Sequence, residues 1–402
     1  MTNHAYIYDA VRTPRTKAKP EGGLHDLTPY DLLGSLYTAL KERTGLNPKD
    51  VGDVIMGCVT QSGEQGGNVA KASTLHYPGW PSSVPGITIN RYCSSGVDSI
   101  NFAAMKVIAG LDELVIAGGV EMMSRVKMYS DNAAPFVDFK LSAKLGMFPM
   151  GNGADLLASL HGISREQADE IALLSQQRAT HARDNGYFKS IVPVENEVKG
   201  VTIEQDENIR PSTSMESLAK LDPAFAALGE KGINAAYLAK HSDLDNVTHI
   251  HTAANSPAMS DGAAAVLVGS LEAGKKLSIK PRARIVEMVT VSDELDTVIT
   301  GCVLAVKEVL KRQNLQASDV DLFEIHESFA ATMVYAQSEL GIDIDKLNVN
   351  GGCIALGHPL GATGSMMTGT LLDELERRGL KTGIVSAAGA AGAGTAMMIE
   401  LV

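Results

Sequence analysis

The spacing of apolar residues changes period repeatedly along the chain, and each change marks an element. Residues 6–11 (YIYDAV) read as a strand, whereas residues 28–45 carry Leu32, Leu33, Leu36 and Leu40 on one helical stripe. Thr28 is placed to cap that helix, Pro29 suits its first turn, and Gly45 stops it. Strand-like runs follow at 53–60 and 86–90, then a helical run at 95–110 and a buried strand at 113–119. This alternation predicts α/β layers, with Cys93 between a strand and a helix.

From about Glu121 to Val247 the pattern breaks. A stretch rich in Met, Phe and Pro leads to a helix starting at Ser164, where Ser164 and Gln167 form a capping box. Ile171, Leu174, Arg178 and His181 share one face of that helix, so the inserted segment has structure of its own. A second strand-and-helix series runs from Pro281 to the end. The expected organisation is a first half (1–120 with 248–280), an inserted loop domain (121–247) and a second half (281–402). LNPKDVGDVIMG (46–57) echoes LQASDVDLFEIH (315–326), each following a helix and leading into a strand; chance and duplication both fit one short echo.

With 402 residues, 45% hydrophobic and 20% charged, the chain has apolar material for two or three cores. A net charge of −12 argues against nucleic acid or an anionic membrane as partner, since both need clustered Lys and Arg. A small polyanion can still bind at a local basic patch or a helix N-terminus. Four scattered cysteines (Cys58, Cys93, Cys302, Cys353) form neither a disulfide framework nor a CxxC zinc pair, and no metal is expected. No apolar run reaches about 18 residues and the start resembles no presequence, so the expected location is cytoplasmic, with a mature organellar form lacking its presequence as the alternative.

The candidate chemistry lies in both halves. Cys93, in NRYCSSG, sits before small residues that let the backbone turn into a helix, where orphan N–H groups would favour its thiolate. A buried apolar cysteine is the plainer alternative. His358, in GHPLGATG, is held out of helical geometry by Pro359 and could take a thiol's proton, or simply satisfy its loop. His326 ends the strand DLFEIH, at the carboxyl edge where α/β folds place sites. Glu327 is preferred as a structural or helix-dipole partner, because a carboxylate opposes a neighbouring thiolate. HTAANSPAMSDG (251–262) is either a ligand contact or a turn. Met122, Met123, Met128, Met147 and Met150 are candidates for an acyl tunnel or for core filling.

Taken in order, YIYDAVRTP, INRYCSSG, AGGVEMMS, MGNGADLLASLHGISREQADE, SDGAAAVL, HESFA and NGGCIALGHPLGATG resemble the thiolase family over nearly the whole length. The resemblance implies a five-layer αβαβα sandwich of duplicated halves with an inserted loop domain. It implies Cys93 as acyl-carrying nucleophile and His358 as its base. Family members commonly have Asn where this chain has His326; a histidine there resembles the thiolase subunit of the fatty-acid oxidation complexes. His326 would then hold a water or polarise the thioester. The backbone N–H groups of Cys93 and Ala390 would form an oxyanion hole, and Ser256 would lie near the coenzyme A arm. Coenzyme A is implied as a substrate, with no other cofactor. A homodimer or homotetramer, and association with a hydratase/dehydrogenase subunit, are the implied partners.

One position departs from the family. The second catalytic cysteine, an acid/base for the enolate, belongs in the turn SAAGAAGAGTAMMIE, where this chain has Ala388. A deliberate replacement, a natural protein with another proton donor, and a lapsed relative that binds CoA esters or assembles a complex are all open. Cys353 and a water held by His326 are candidate substitutes; small-residue packing beneath the His358 loop is the plainer role for Cys353.

Overall fold

A computed structural model describes residues 4–402; the first three residues, at the start of the first half, lie outside it. The first half contains β1 (Tyr6–Arg12), α1 (Pro29–Thr44), β2 (Asp53–Gly57), β3 (Ile87–Ile89), α2 (Ser95–Ile108) and β4 (Leu114–Met122). The excursion that follows carries α3 (Arg165–Asp184), and the chain re-enters the sheet through β5 (Ser260–Gly269). The second half contains β6 (Ala283–Ser292), α4 (Gly301–Gln313), β7 (Leu322–Ile325), α5 (Ala330–Leu340), α6 (Thr363–Arg378), β8 (Thr382–Ala388) and β9 (Ala393–Leu401). α1 has the expected boundaries: the Thr28 hydroxyl and Asp31 form a reciprocal capping box, and Gly45 closes the helix at φ 68°.

The halves repeat one topology. β2 is parallel to β4, β4 antiparallel to β5 and β5 antiparallel to β1; likewise β7 is parallel to β8, β8 antiparallel to β9 and β9 antiparallel to β6. The echo between 46–57 and 315–326 is structural too, since each segment makes one 3₁₀ turn (Pro48–Asp50, Ala317–Asp319) before its strand. The two sheets also meet at an edge, where Tyr6 and Ile7 of β1 pair with Arg284 and Ala283 of β6, giving one continuous ten-stranded sheet.

Alternating side chains along each strand divide the apolar residues among three cores. On β4, Leu114, Ile116 and Val120 point into an outer core with α1, while Val115 and Ala117 point into a central one. The central core is filled by Val97, Ile100 and Ala104 of α2 and Leu371, Leu372 and Leu375 of α6, and is closed by Val385 and Met397 of the second half. A third core lies under α4, around Val303, Val306 and Phe323. The five layers are therefore α1, first-half strands, α2 with α6, second-half strands, and α4 with α5.

Ile171, Leu174 and Arg178 are half-buried on α3 and His181 is exposed, whereas Ala168, Ala172, Ser175, Ala179 and Ala182 are fully buried. The reason is close approach: a Cβ on Gly351 would stand 2.7 Å from Ala179 Cβ, so only small residues fit where α3 meets the segment leading to His358. The helix after His326 starts at Ala330.

Candidate active site

Cys93 is delivered by a strained turn between β3 and α2. Tyr92 holds φ 53°, a left-handed conformation uncommon for a bulky residue. It is over-determined by its neighbours: Tyr92 N–H donates to Asn90 Oδ1 (2.8 Å), and Ser95 donates to Tyr92 O through both its N–H (3.0 Å) and Oγ (2.6 Å). The N-termini of α2 and α6 are then driven together, because a Cβ on Gly96 would meet Ser365 N at 2.7 Å and one on Gly364 would meet Val97 N at 2.6 Å. Ser365 Oγ donates to Gly96 O (2.7 Å), and Ser94 Oγ donates to Ala387 O (2.8 Å), beside Ala388. Each bond joins one half of the molecule to the other.

His358 precedes α6. Its N–H donates to Ala258 O (2.7 Å), and its Nδ1 lies 2.7 Å from Thr363 Oγ1, so Nε2 is its free nitrogen. His326 lies just past β7, with its N–H donating to Ser386 O (2.8 Å) and its Nδ1 2.8 Å from Ser328 Oγ. The two imidazoles pack 4.3 Å apart between centroids. Cys353 joins them: its Sγ and one ring nitrogen from each histidine lie within 4.8 Å of one another, all three residues buried. The Nε2 of His326 is buried and makes no well-formed hydrogen bond.

Burial decides the protonation states. Desolvation first, then repulsion from Glu121, pushes the Cys93 thiol up to about 12. This corrects the expectation of a resting thiolate: the helix terminus is present, but burial outweighs it. Desolvation, aided by the Arg15 guanidinium, lowers His326 to about 4; desolvation, His326 and Arg15 hold His358 well below the usual histidine value. Burial therefore favours a neutral Cys93 thiol and neutral imidazoles at neutral pH.

Two positioning residues were not visible in the sequence, although Glu121 lies within AGGVEMMS and Arg15 directly follows YIYDAVRTP. Arg15, 1% exposed, donates from Nη1 to Gly357 O (3.1 Å) behind the His358 loop. Glu121, fully buried, accepts from Val59 N–H (2.9 Å) and Gly361 N–H (3.0 Å) on one oxygen, and from Thr60 N–H (3.0 Å) and Gln65 Nε2 (2.9 Å) on the other. It ties the loop after β2 to the turn that carries His358. Burial raises its carboxyl, yet all four partners are donors, so the acceptor-only carboxylate is the form that satisfies them. Glu327 is structural, as expected: it is held by Ser175 Oγ (2.8 Å) and Ile354 N–H (3.0 Å).

Cys93 opens on a cavity of about 180 Å³ lined also by Ala390, Leu360, Tyr92, Tyr129, Phe136 and Phe148. Met128 and Met150 line it, whereas Met122 belongs to the outer core and Met123 packs with Cys93 and Leu360 beneath. Ser256 is not among its lining residues; its hydroxyl donates to Thr252 O (2.7 Å) within the 251–259 loop.

The N-terminal domain model of the thiolases matches residues 5–243, and the C-terminal domain model matches residues 279–401. The chain belongs to the thiolase family. This thiolase is 37% identical to a 3-ketoacyl-CoA thiolase of Bacillus subtilis (strain 168), over 99% of both chains. It is 38% identical to a beta-ketoadipyl-CoA thiolase of Acinetobacter baylyi, over 99% of this chain and 100% of the relative. The crystal structure of human mitochondrial 3-ketoacyl-CoA thiolase superposes with a TM-score of 0.85 at 35% identity, covering 100% of this chain and 99% of that one. Thiolases are acyltransferases, and the duplicated five-layer architecture is that of the family. No helix among the described residues is long and apolar enough to cross a membrane.

Proposed function

We propose that this thiolase exchanges acyl groups between coenzyme A esters through Cys93, cleaving an uncharged aliphatic 3-ketoacyl-CoA with coenzyme A to acetyl-CoA and a shortened acyl-CoA, or running the reverse condensation. The observation that carries the reading is the position of Cys93: it opens on an apolar cavity that Leu360 of the His358 turn and Ala390 of the turn after β8 also line. His358 takes the thiol's proton, and Cys93 sulfur adds to the 3-keto carbon. The Cys93 and Ala390 N–H groups, both on residues bordering the cavity, serve the developing oxyanion. Collapse releases the acetyl-CoA enolate and leaves an acyl-Cys93, which coenzyme A then attacks. No other cofactor enters these steps.

The cavity's charge favours one acyl class over another. Asp131 is its only charged lining residue among the described residues. A distal carboxylate, as on a 3-ketoadipyl chain, would meet no cation and one like charge, at a cost of several kcal/mol if desolvated. The open edge strand β3, with exposed Phe102, Met105 and Ile108 on the adjoining helix, supports pairing of two copies.

Intact mass after incubation with acetoacetyl-CoA tests the core of the reading. An acyl adduct is expected on the unaltered protein and none on Cys93→Ala; an adduct that survives Cys93→Ala would refute it. A kcat/KM at least about tenfold higher for 3-ketooctanoyl-CoA than for 3-ketoadipyl-CoA is expected, and equal values would refute the acyl class.

A further inference from the structure

The cleavage needs two proton-transfer groups besides the nucleophile: a base for Cys93 and an acid for carbon 2 of the departing acetyl-CoA. His358 fills the first role. At residue 388 there is only a methyl group, so the second must lie elsewhere.

We propose that Cys353 is that acid, delivering its S–H proton to the acetyl-CoA enolate and recovering it from His358. The inference rests on the function proposed above. Three observations carry it. Cys353 Sγ shares a buried cluster with ring nitrogens of His326 and His358, all within 4.8 Å, a gap that one bridging water or one thiol rotation closes. His326 is 1% exposed and its Nε2 makes no well-formed hydrogen bond, its ring interacting with the Ala388 backbone, so the cluster holds a weakly satisfied polar group beside the position of the missing thiol. The remaining thiols are accounted for in the outer cores: Cys58 contacts Glu121 Oε1 (3.9 Å) and Cys302 contacts Ile299 O (3.5 Å). Arg15 interacts electrostatically with Cys353 and both histidines, which favours a transient thiolate there and opposes a bound metal cation.

The protons balance. His358 accepts the Cys93 proton as the C–S bond forms. When the C2–C3 bond breaks, its electron pair passes to carbon 2, which takes the Cys353 proton. The resulting imidazolium and thiolate are neighbours, so the proton returns from His358 to Cys353 and both are neutral again. In the second half-reaction, His358 accepts the coenzyme A thiol proton and gives it to the departing Cys93 sulfur. Cys353 is thus the end of a relay that starts at Cys93.

The test compares the unaltered chain with Cys353→Ala and with Cys353→Ala combined with Ala388→Cys. Two readouts are followed: acetylation of Cys93 by acetyl-CoA, from intact mass, and exchange of the acetyl-CoA methyl hydrogens in deuterium oxide. Cys353→Ala should still acetylate, which certifies folding, while exchange and cleavage fall about 10²- to 10⁴-fold. The double variant should regain at least about tenfold of that loss, because a thiol again faces the enolate. Exchange by Cys353→Ala within about threefold of the unaltered chain would overturn the proposal, as would no gain in the double variant. No adduct on the unaltered chain would overturn the functional reading and this relay with it, so the two failures are distinguishable.

Discussion

Glu121→Gln is the sharpest probe of how the two catalytic loops are held. The carboxylate accepts four hydrogen bonds from N–H groups, two per oxygen, besides the longer Cys58 Sγ contact (3.9 Å). Glutamine keeps one acceptor and replaces the other with an NH₂. In either orientation that NH₂ faces two donors: Val59 and Gly361 N–H on one side, Thr60 N–H and Gln65 Nε2 on the other. Gln65 cannot turn over to help, because its Oε1 accepts from Met122 N–H (2.5 Å) and its Nε2 also donates to Thr60 O (2.8 Å). Two bonds to a charged acceptor are therefore lost, at about 1.5–3 kcal/mol each, or about 3–6 kcal/mol together. Against a typical stability of about 5–15 kcal/mol this is a large fraction. Urea titration followed by circular dichroism and fluorescence measures the loss, and Cys93 acylation should slow in parallel because Gly361 belongs to the His358 turn. A change below about 1 kcal/mol, with acylation intact, would refute the argument that Glu121 is an ionised clamp.

Three further outcomes are expected. Arg12 and Asp206 form a buried bidentate pair (2.7 and 2.8 Å), so Asp206→Ala, which strands the guanidinium, should cost about 3–5 kcal/mol in the same titration. His326 binds its proton more weakly folded (about 4) than unfolded (about 6.5), so its neutral form supports the fold above pH 6.5 and the support is lost as pH falls toward 4; across that window the unaltered chain should lose up to about 3 kcal/mol more stability than His326→Asn. Phe136 packs edge-on to Tyr92 (5.8 Å between centroids) in the cavity wall, so Phe136→Ala should raise the kcat/KM ratio of long to short 3-ketoacyl-CoA substrates by about tenfold, measured on a homologous series.

Much of the fold was legible because its signals are local. The cap at Thr28, the stop at Gly45, the Ser164–Gln167 box and the echo before β2 and β7 depend on residues a few positions apart, and each appears in the structure where the spacing puts it. The motif around Cys93 likewise announces a strand–turn–helix, because Ser94, Ser95 and Gly96 allow it whatever lies beyond. The sequence by itself therefore set the order of elements and the two halves, and the family resemblance singled out Cys93, His326 and His358 as candidates.

Tertiary structure decided what no spacing encodes. The helix terminus at Cys93 suggested a thiolate, but the resting charge depends on how much water three layers exclude, and desolvation prevails. The buried face of α3 follows from backbone approach at Gly351 rather than from its apolar stripe. Glu121 and Arg15 acquire their roles from partners 240 and 342 residues away. Cys353 precedes His358 by only five positions, yet its place beside both histidines depends on β7 and the start of α6 converging, and burial there sets an ordinary cysteine against two imidazoles.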